Sequence, residues 1–265
     1  MGMLIAAALL GLGALLYWLL VATEGTYLGA RVVTLLYDLT ANRYDKIKAL
    51  HYVAEARYVG LPLVEALGGV RSPRVLDVAA GTGRVPLALL RAGESEGPII
   101  AVDRSSGMLG EAKAALAGQH GAVTLIQGDA AALSFANGAF DCVTCLEALE
   151  FMWDPAETVS EMVRVLKAGG VLLLSNRVGT DAWLLPRRLC GRGRLERHLG
   201  ELGLEEIQTQ RWQVHYDLIW ARKPSASALG RPLCKELADD RRASVDPERT
   251  SDDEERLLEP RRPLS

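Results

Sequence analysis

Arg74-Val75-Leu76-Asp77-Val78-Ala79-Ala80-Gly81-Thr82-Gly83-Arg84-Val85-Pro86 is the stretch on which the fold turns. It opens with an apolar run of strand type, residues 75–78, and ends in an apolar-rich run, residues 85–90, that reads as a helix. Between them lies a turn of small residues. Small residues and glycines let a backbone approach a ligand closely, and the helix start offers unpaired N–H groups. An acid at the strand's end, Asp77, sits beside the turn. Open α/β sheets hold nucleotide-like ligands in this way, beyond the carboxyl ends of their strands. The dinucleotide fingerprint needs a third small residue three places after its second glycine. With Gly81 and Gly83 as the pair, that place is Pro86, which weighs against a nicotinamide-dependent oxidoreductase.

Downstream, more strand-like runs end on acids. Residues 98–103 close on Asp103, twenty residues beyond Gly83, followed by Arg104-Ser105-Ser106-Gly107-Met108-Leu109. An acid at that distance can accept both ribose hydroxyls of a nucleoside. Ser105 is placed to cap a helix running to about Leu116. Residues 123–130 form a third strand and loop ending in Gly128-Asp129-Ala130. Residues 139–146 form a fourth strand, followed by Glu147-Ala148-Leu149-Glu150-Phe151-Met152-Trp153-Asp154-Pro155 and a helix to about Leu166. Leu166-Lys167-Ala168-Gly169-Gly170 then ends that helix and starts a fifth strand.

The acid-small-small-small-Gly-x-Gly turn, the Asp-x-Ser-x-x-Met-Leu segment and the Leu-Lys-x-Gly-Gly segment resemble class I S-adenosylmethionine-dependent methyltransferases of the ubiquinone/menaquinone-biosynthesis-like group. The stretch Tyr37-Asp38-Leu39-Thr40-Ala41-Asn42-Arg43-Tyr44-Asp45 resembles that group's pre-motif, which covers the cofactor and frames the substrate pocket; an amphipathic packing helix is the alternative. The likeness covers residues 37–222. It implies an α/β fold, a Rossmann-like seven-stranded, mainly parallel sheet with helices on both faces. It implies S-adenosyl-L-methionine as cofactor, held by Asp77, Ala79, Gly81, Gly83, Asp103, Arg104, Met108, Asp129, Ala130 and Leu146. Ala79 stands where the group has a glycine, and Glu150 where it commonly has a histidine. Glu147 and Glu150 are candidate bases, with helix capping or solvent exposure as the alternative, and Tyr44 is a third candidate.

At the front, residues 1–22 are almost wholly apolar and carry no charged side chain, enough for a transmembrane helix. No basic region precedes Leu4, which favours an uncleaved anchor over a signal peptide. Arg31, Arg43, Lys46, Lys48 and Arg57 follow, so the catalytic domain is expected on the cytoplasmic side of a single-pass protein. The expected organisation is an anchor at 1–22, a helical pre-domain at 23–72, a methyltransferase domain at 73–223 and a disordered charged tail at 224–265. In the pre-domain, Val32, Val33, Leu35, Leu36 and Leu39 read as one apolar face.

Net charge is −3, which implies no general attraction to nucleic acid. The four cysteines make no disulfide framework in a chain this long. Cys142-x-x-Cys145 lies in a strand, where i and i+3 point to opposite faces, so no metal site is expected. Residues 177–194 match the group poorly. They gather Arg177, Arg187, Arg188, Arg192 and Arg194 around Trp183-Leu184-Leu185-Pro186, a composition suited to an anionic membrane surface. The expected partner is therefore a small-molecule or lipid acceptor such as a quinone precursor, with the membrane engaged through the N-terminal helix.

Overall fold

The computed structural model describes residues 1–47, 52–93, 97–118, 122–185 and 188–225. Arg187 and the charged tail beyond Ser225 lie outside the described residues. The elements in chain order are α1 (Gly2–Tyr17), α2 (Ala30–Ile47), α3 (Tyr52–Glu55), α4 (Leu61–Ala66), β1 (Val75–Val78), α5 (Arg84–Ala92), β2 (Ile99–Asp103), α6 (Ser106–Ala115) and β3 (Val123–Gln127). They continue with β4 (Phe140–Cys145), α7 (Pro155–Val165), β5 (Leu166–Arg177), α8 (Arg194–Glu201), β6 (Glu205–Arg211) and β7 (Tyr216–Arg222).

The seven strands form one sheet in the order β3-β2-β1-β4-β5-β7-β6. β1 pairs in parallel with β2 and β4, and β7 runs antiparallel between β5 and β6. The order reverses at β1, so the carboxyl ends of β1, β2 and β4 meet at the switch point where such sheets bind ligands.

Alternation along the central strands sorts side chains between two cores. Leu76, Val143, Leu172 and Leu174 face α7 and α8 through Val159, Met162, Leu195 and Leu199. Val75, Cys142, Leu173 and Trp220 face α5 and the segment before it through Val85, Leu89, Val59 and Leu63. Cys142 and Cys145 fall in opposite cores, as their spacing in a strand requires.

Two local expectations change. Gly169 and Gly170 lie inside β5, which already begins at Leu166; the helix stops at Val165. Phe140 pairs with Leu166 but Cys142 pairs with Val171, so the glycines absorb a register shift, with Gly169 at φ 80°. On α2 the inward face is Val33, Leu36 and Tyr37, whereas Leu35 and Leu39 are exposed. The described part of the stretch before the sheet is a series of helical elements: a turn at Thr26–Leu28 precedes α2, and a wider π-helical turn at Ala56–Gly60 links α3 to α4. At Gly60 a Cβ would lie 2.4 Å from the Ala88 carbonyl oxygen, so only glycine permits this close approach to α5.

Among the described residues, one helix, Gly2–Ala22, is long and apolar enough to cross a membrane, and none of it is buried.

Candidate cofactor and acceptor site

The turn after β1 is built from backbone bonds. The Ala80 N–H donates to the Val102 carbonyl, and the Gly81 N–H donates 2.8 Å to Asp103 Oδ2. Ala79, Gly81 and Gly83 all take positive φ, at 55°, 54° and 88°. Glycine carries no penalty there; Ala79 carries roughly 1–2 kcal/mol. The Ala79 substitution noted in the sequence is therefore a strained one. Gly83 caps α5, and a Cβ there would sit 3.4 Å from Ala112 and Leu116 of α6. Gly83 thus serves helix packing and does not reach the cavity.

That cavity, of about 340 Å³, opens over the carboxyl ends of β1, β2 and β4. It brings together eight of the ten expected cofactor residues: Ala79, Gly81, Asp103, Arg104, Met108, Asp129, Ala130 and Leu146. Asp103 also accepts the Ser105 N–H at 2.8 Å. Burial pushes the Asp103 carboxyl up, against the pull of these N–H groups. Asp129 pairs with Arg104 at 3.2 Å, and both side chains are half-exposed. Ser105 caps α6 by accepting the Met108 N–H, which leaves Met108 buried under the cavity floor.

Asp77 stands behind this wall, lining a smaller adjoining cavity. Its Oδ1 accepts the Thr144 hydroxyl at 2.7 Å, while its Oδ2 is buried without a partner. Burial, partly offset by Thr144, raises its pKa from 3.8 to about 7. Between those values the folded protein holds a proton that the unfolded chain has released, so this group's contribution to stability falls as pH rises. Asp77→Asn should keep the Thr144 bond and remove that fall. Urea midpoints at pH 5 and pH 8, measured in detergent, should lie closer together in the variant; an unchanged difference would contradict the assignment.

The roof of the cavity comes from α2, through Ala30, Val33, Thr34, Tyr37 and Tyr44. Two aspartates fasten it. Asp38 Oδ1 accepts the Ser105 hydroxyl at 2.5 Å and the Gly107 N–H at 2.9 Å, at the start of α6. Asp45 Oδ1 accepts the Thr82 hydroxyl at 2.6 Å, on the glycine turn. The only signal Asp38 and Asp45 carry in the sequence is their place in the stretch that resembles the pre-motif.

The candidate bases are separated by the structure. Glu147 lies on the cavity wall, with φ 51°, and its carboxylate is held by Arg84 at 2.6 Å and Gln213 at 3.0 Å. Arg84 also binds Glu55 at 2.6 Å and stacks on Trp212, with 4.5 Å to the ring centre. Glu150 is fully buried behind the wall, accepting the Tyr216 hydroxyl at 2.5 Å, with Arg177 at 3.7 Å. Tyr44 lines both cavities, and burial raises its phenol well above the ordinary value. It is a neutral phenol at physiological pH, able to donate a hydrogen bond.

The arrangement suits S-adenosylmethionine. Five carboxylates line the main cavity, Asp103, Asp129, Glu147, Asp154 and Glu157, against one guanidinium, Arg104, so a cation is favoured. Gly81 leaves open space where a Cβ would stand. Asp77 offers an unpaired buried oxygen.

Comparison with known proteins agrees. Residues 76–174 match the family model described as a methyltransferase domain. The demethylmenaquinone methyltransferase of Renibacterium salmoninarum is 36% identical over 143 residues, covering 54% of this chain and 57% of that protein. The ubiquinone/menaquinone biosynthesis C-methyltransferase of Pseudomonas paraeruginosa is 40% identical over 148 residues, covering 55% and 57%. The chain thus spans little more than half the length of the curated relatives it matches. In fold it resembles the crystal structure of the [4+2]-cyclase SpnF, with a TM-score of 0.54 at 22% identity over 64% of this chain and 80% of that one. A switch-point cavity lined by strand-end acids and a family match over the strands that build it lead to one conclusion: residues 76–174 are an S-adenosylmethionine-dependent methyltransferase domain, similar in sequence to methyltransferases of the quinone-biosynthesis group.

Proposed function

We propose that the chain is a membrane-anchored methyltransferase that transfers the methyl group of S-adenosylmethionine to a small hydrophobic acceptor, such as a quinone precursor or another lipid. One observation carries the reading. A single cavity joins the acids and glycine turn at the ends of β1, β2 and β3 to an apolar and aromatic wall of Val33, Tyr37, Phe151, Met152 and Trp153. The first part suits the cofactor and the second an apolar acceptor. Asp103 would hold the ribose, Met108 would pack at the adenine, and Asp129 would accept from its amino group. The two named relatives act in quinone biosynthesis, which fits such an acceptor.

The cofactor supplies an electrophilic methyl group on a sulfonium. This chain's residues orient the acceptor in line with it and exclude water. The α2 roof closes the cavity, and Glu147 is fixed on its wall by Arg84. Tyr44, a neutral phenol, lines the same space.

A second reading, a membrane-tethered S-adenosylmethionine-binding protein without transferase activity, has an observation of its own: Glu147 is engaged by Arg84 and Gln213, and Glu150 by Tyr216. In-line transfer to sulfur, oxygen or nitrogen needs little base assistance, so this observation does not outweigh the first. Incubation of membranes holding the protein with methyl-labelled cofactor, followed by mass spectrometry, should find label in a lipid-extractable small molecule. Cofactor binding by calorimetry with no labelled product would select the second reading. The full chain should sediment with membranes and resist alkali, whereas a chain beginning at Thr26 should be soluble or only peripherally bound. Release of the full chain by alkali would remove the anchor.

A further inference from the structure

The basic run at 177–194 does not meet a headgroup layer in the way its composition suggests. Arg177 is half-buried, beside Glu150 and over the rings of Phe151 and Tyr216, at 5.8 and 5.7 Å. Arg192 binds Asp217 at 2.6 Å. Arg188 is buried, at 8% exposure, which corrects the expectation that it contacts lipid. Its Nη1 donates to the Met152 carbonyl and, at 2.7 Å, to the Trp153 carbonyl. Its Nη2 lies 3.5 Å from the Thr26 carbonyl, and its guanidinium stacks over Tyr27 at 5.2 Å.

Arg188 therefore clamps three segments that are distant in sequence: the turn that leaves the apolar helix, the loop after β4 on the cavity wall, and its own loop. Each presents a large apolar side chain to the outside. These are Leu28 at 44% exposure, Trp153 at 69%, and Trp183 and Leu184 at 86% and 41%. The first segment is tied to the apolar helix. Tyr27 stacks on Trp18 with ring centres 5.1 Å apart, the Thr23 hydroxyl donates to the Leu19 carbonyl, and the Gly25 N–H donates to the same carbonyl.

We propose that Leu28, Trp153, Trp183 and Leu184 form a bilayer-facing rim of the acceptor cavity, held together by Arg188, through which a lipid-soluble acceptor reaches the site directly from the membrane. This rests on the reading of Gly2–Ala22 as a span. The occupant is a bilayer because the rim continues from that helix. Only three residues separate Ala22 from Thr26, so the Arg188 clamp holds the rim at the level where the helix leaves the hydrocarbon. Exposed tryptophans at that level are the side chains expected of a membrane interface. Trp153 and Met152 belong to the rim loop and also line the cavity, which makes the rim its doorway.

The test uses the full chain carrying Cys234→Ser, since Cys142, Cys145 and Cys190 are buried. A nitrobenzoxadiazole probe is placed through Leu28→Cys, Trp183→Cys or Val70→Cys. Val70 is an exposed apolar residue at the opposite, amino end of β1. Each protein is reconstituted in phosphatidylcholine vesicles with or without bromines high on the acyl chains. Interfacial side chains sink about 5–10 Å below the headgroup boundary, within reach of those bromines. Probes at 28 and 183 should be quenched several-fold more than the probe at 70. In an Arg188→Lys background, which keeps the charge but loses the forked grip on the carbonyls, quenching should fall at 183 and persist at 28. If that variant fails to fold, the comparison of 183 with 70 still decides. Flotation with vesicles but equal quenching at 183 and 70 would overturn the rim and leave the span standing. Failure to float would overturn both. Bromine-independent shielding at 183 that grows with protein density would give the face to a second copy of the chain and overturn the rim.

Discussion

Arg84→Ala is expected to lower the stability of the folded protein by about 3–5 kcal/mol, because it leaves two buried carboxylates without their shared cation. Glu55 and Glu147 are both 6% exposed, and each meets Arg84 at 2.6 Å. For a domain of this size the loss corresponds to a fall in melting temperature of roughly 6–20 °C. Arg84→Lys should recover little, since one ammonium cannot reproduce two separate guanidinium contacts. Adding Glu55→Gln and Glu147→Gln to Arg84→Ala should restore much of the loss, because the cost lies in the stranded charges. Thermal unfolding of the four proteins in detergent tests this. A drop below about 1 kcal/mol in Arg84→Ala would show that the carboxylates relax into water and that the triad contributes little. The same variant should also lower turnover, because Arg84 fixes Glu147 on the cavity wall.

Asp103→Ala should weaken S-adenosylmethionine binding by about 3–6 kcal/mol, or roughly 10²- to 10⁴-fold, if its carboxylate holds both ribose hydroxyls as proposed. The structure adds a reason beyond the ribose. Asp103 accepts the Gly81 and Ser105 N–H groups, so its removal also frees the glycine turn and the start of α6. Asp129→Ala should cost much less, about 1 kcal/mol, because that carboxylate is half-exposed and its partner Arg104 remains solvated. Calorimetry on both variants, with urea unfolding as a check of folding, separates the two roles. Unchanged affinity in folded Asp103→Ala would remove it from the cofactor site.

The features that were legible in the sequence are those written in local pattern. The acids Asp77, Asp103 and Asp129 each follow an apolar run, and a strand end followed by a turn leaves a side chain at the carboxyl edge of the sheet. Ser105 reads as a cap because Met108, three residues on, supplies the N–H it accepts. The features that were not legible depend on what lies across the fold. Leu35 and Leu39 match a helical apolar stripe, but the stripe's direction is set by where α6 and the cavity sit. Arg188 looks like a surface charge until the carbonyls of Met152 and Trp153 arrive from another loop. Glu150 is next in sequence to Phe151 of the cavity wall, yet a tight turn at Leu149–Phe151 sends it toward Tyr216. Arg84 opens α5, an ordinary place for a solvated charge, and only the fold brings Glu55 and Glu147 to it.

The α2 roof makes the unit of binding larger than the stretch matched by the methyltransferase-domain model. That match runs over residues 76–174, but five of the cavity's wall residues lie on α2, between Ala30 and Tyr44. Through Asp38 and Asp45 the same helix also steadies the start of α6 and the glycine turn. A fragment trimmed to the matched core would keep the strand-end acids yet present them to open solvent, on loops that have lost two of their anchors. Ligand affinity in this protein is therefore a property shared with the segment that leads from the apolar helix.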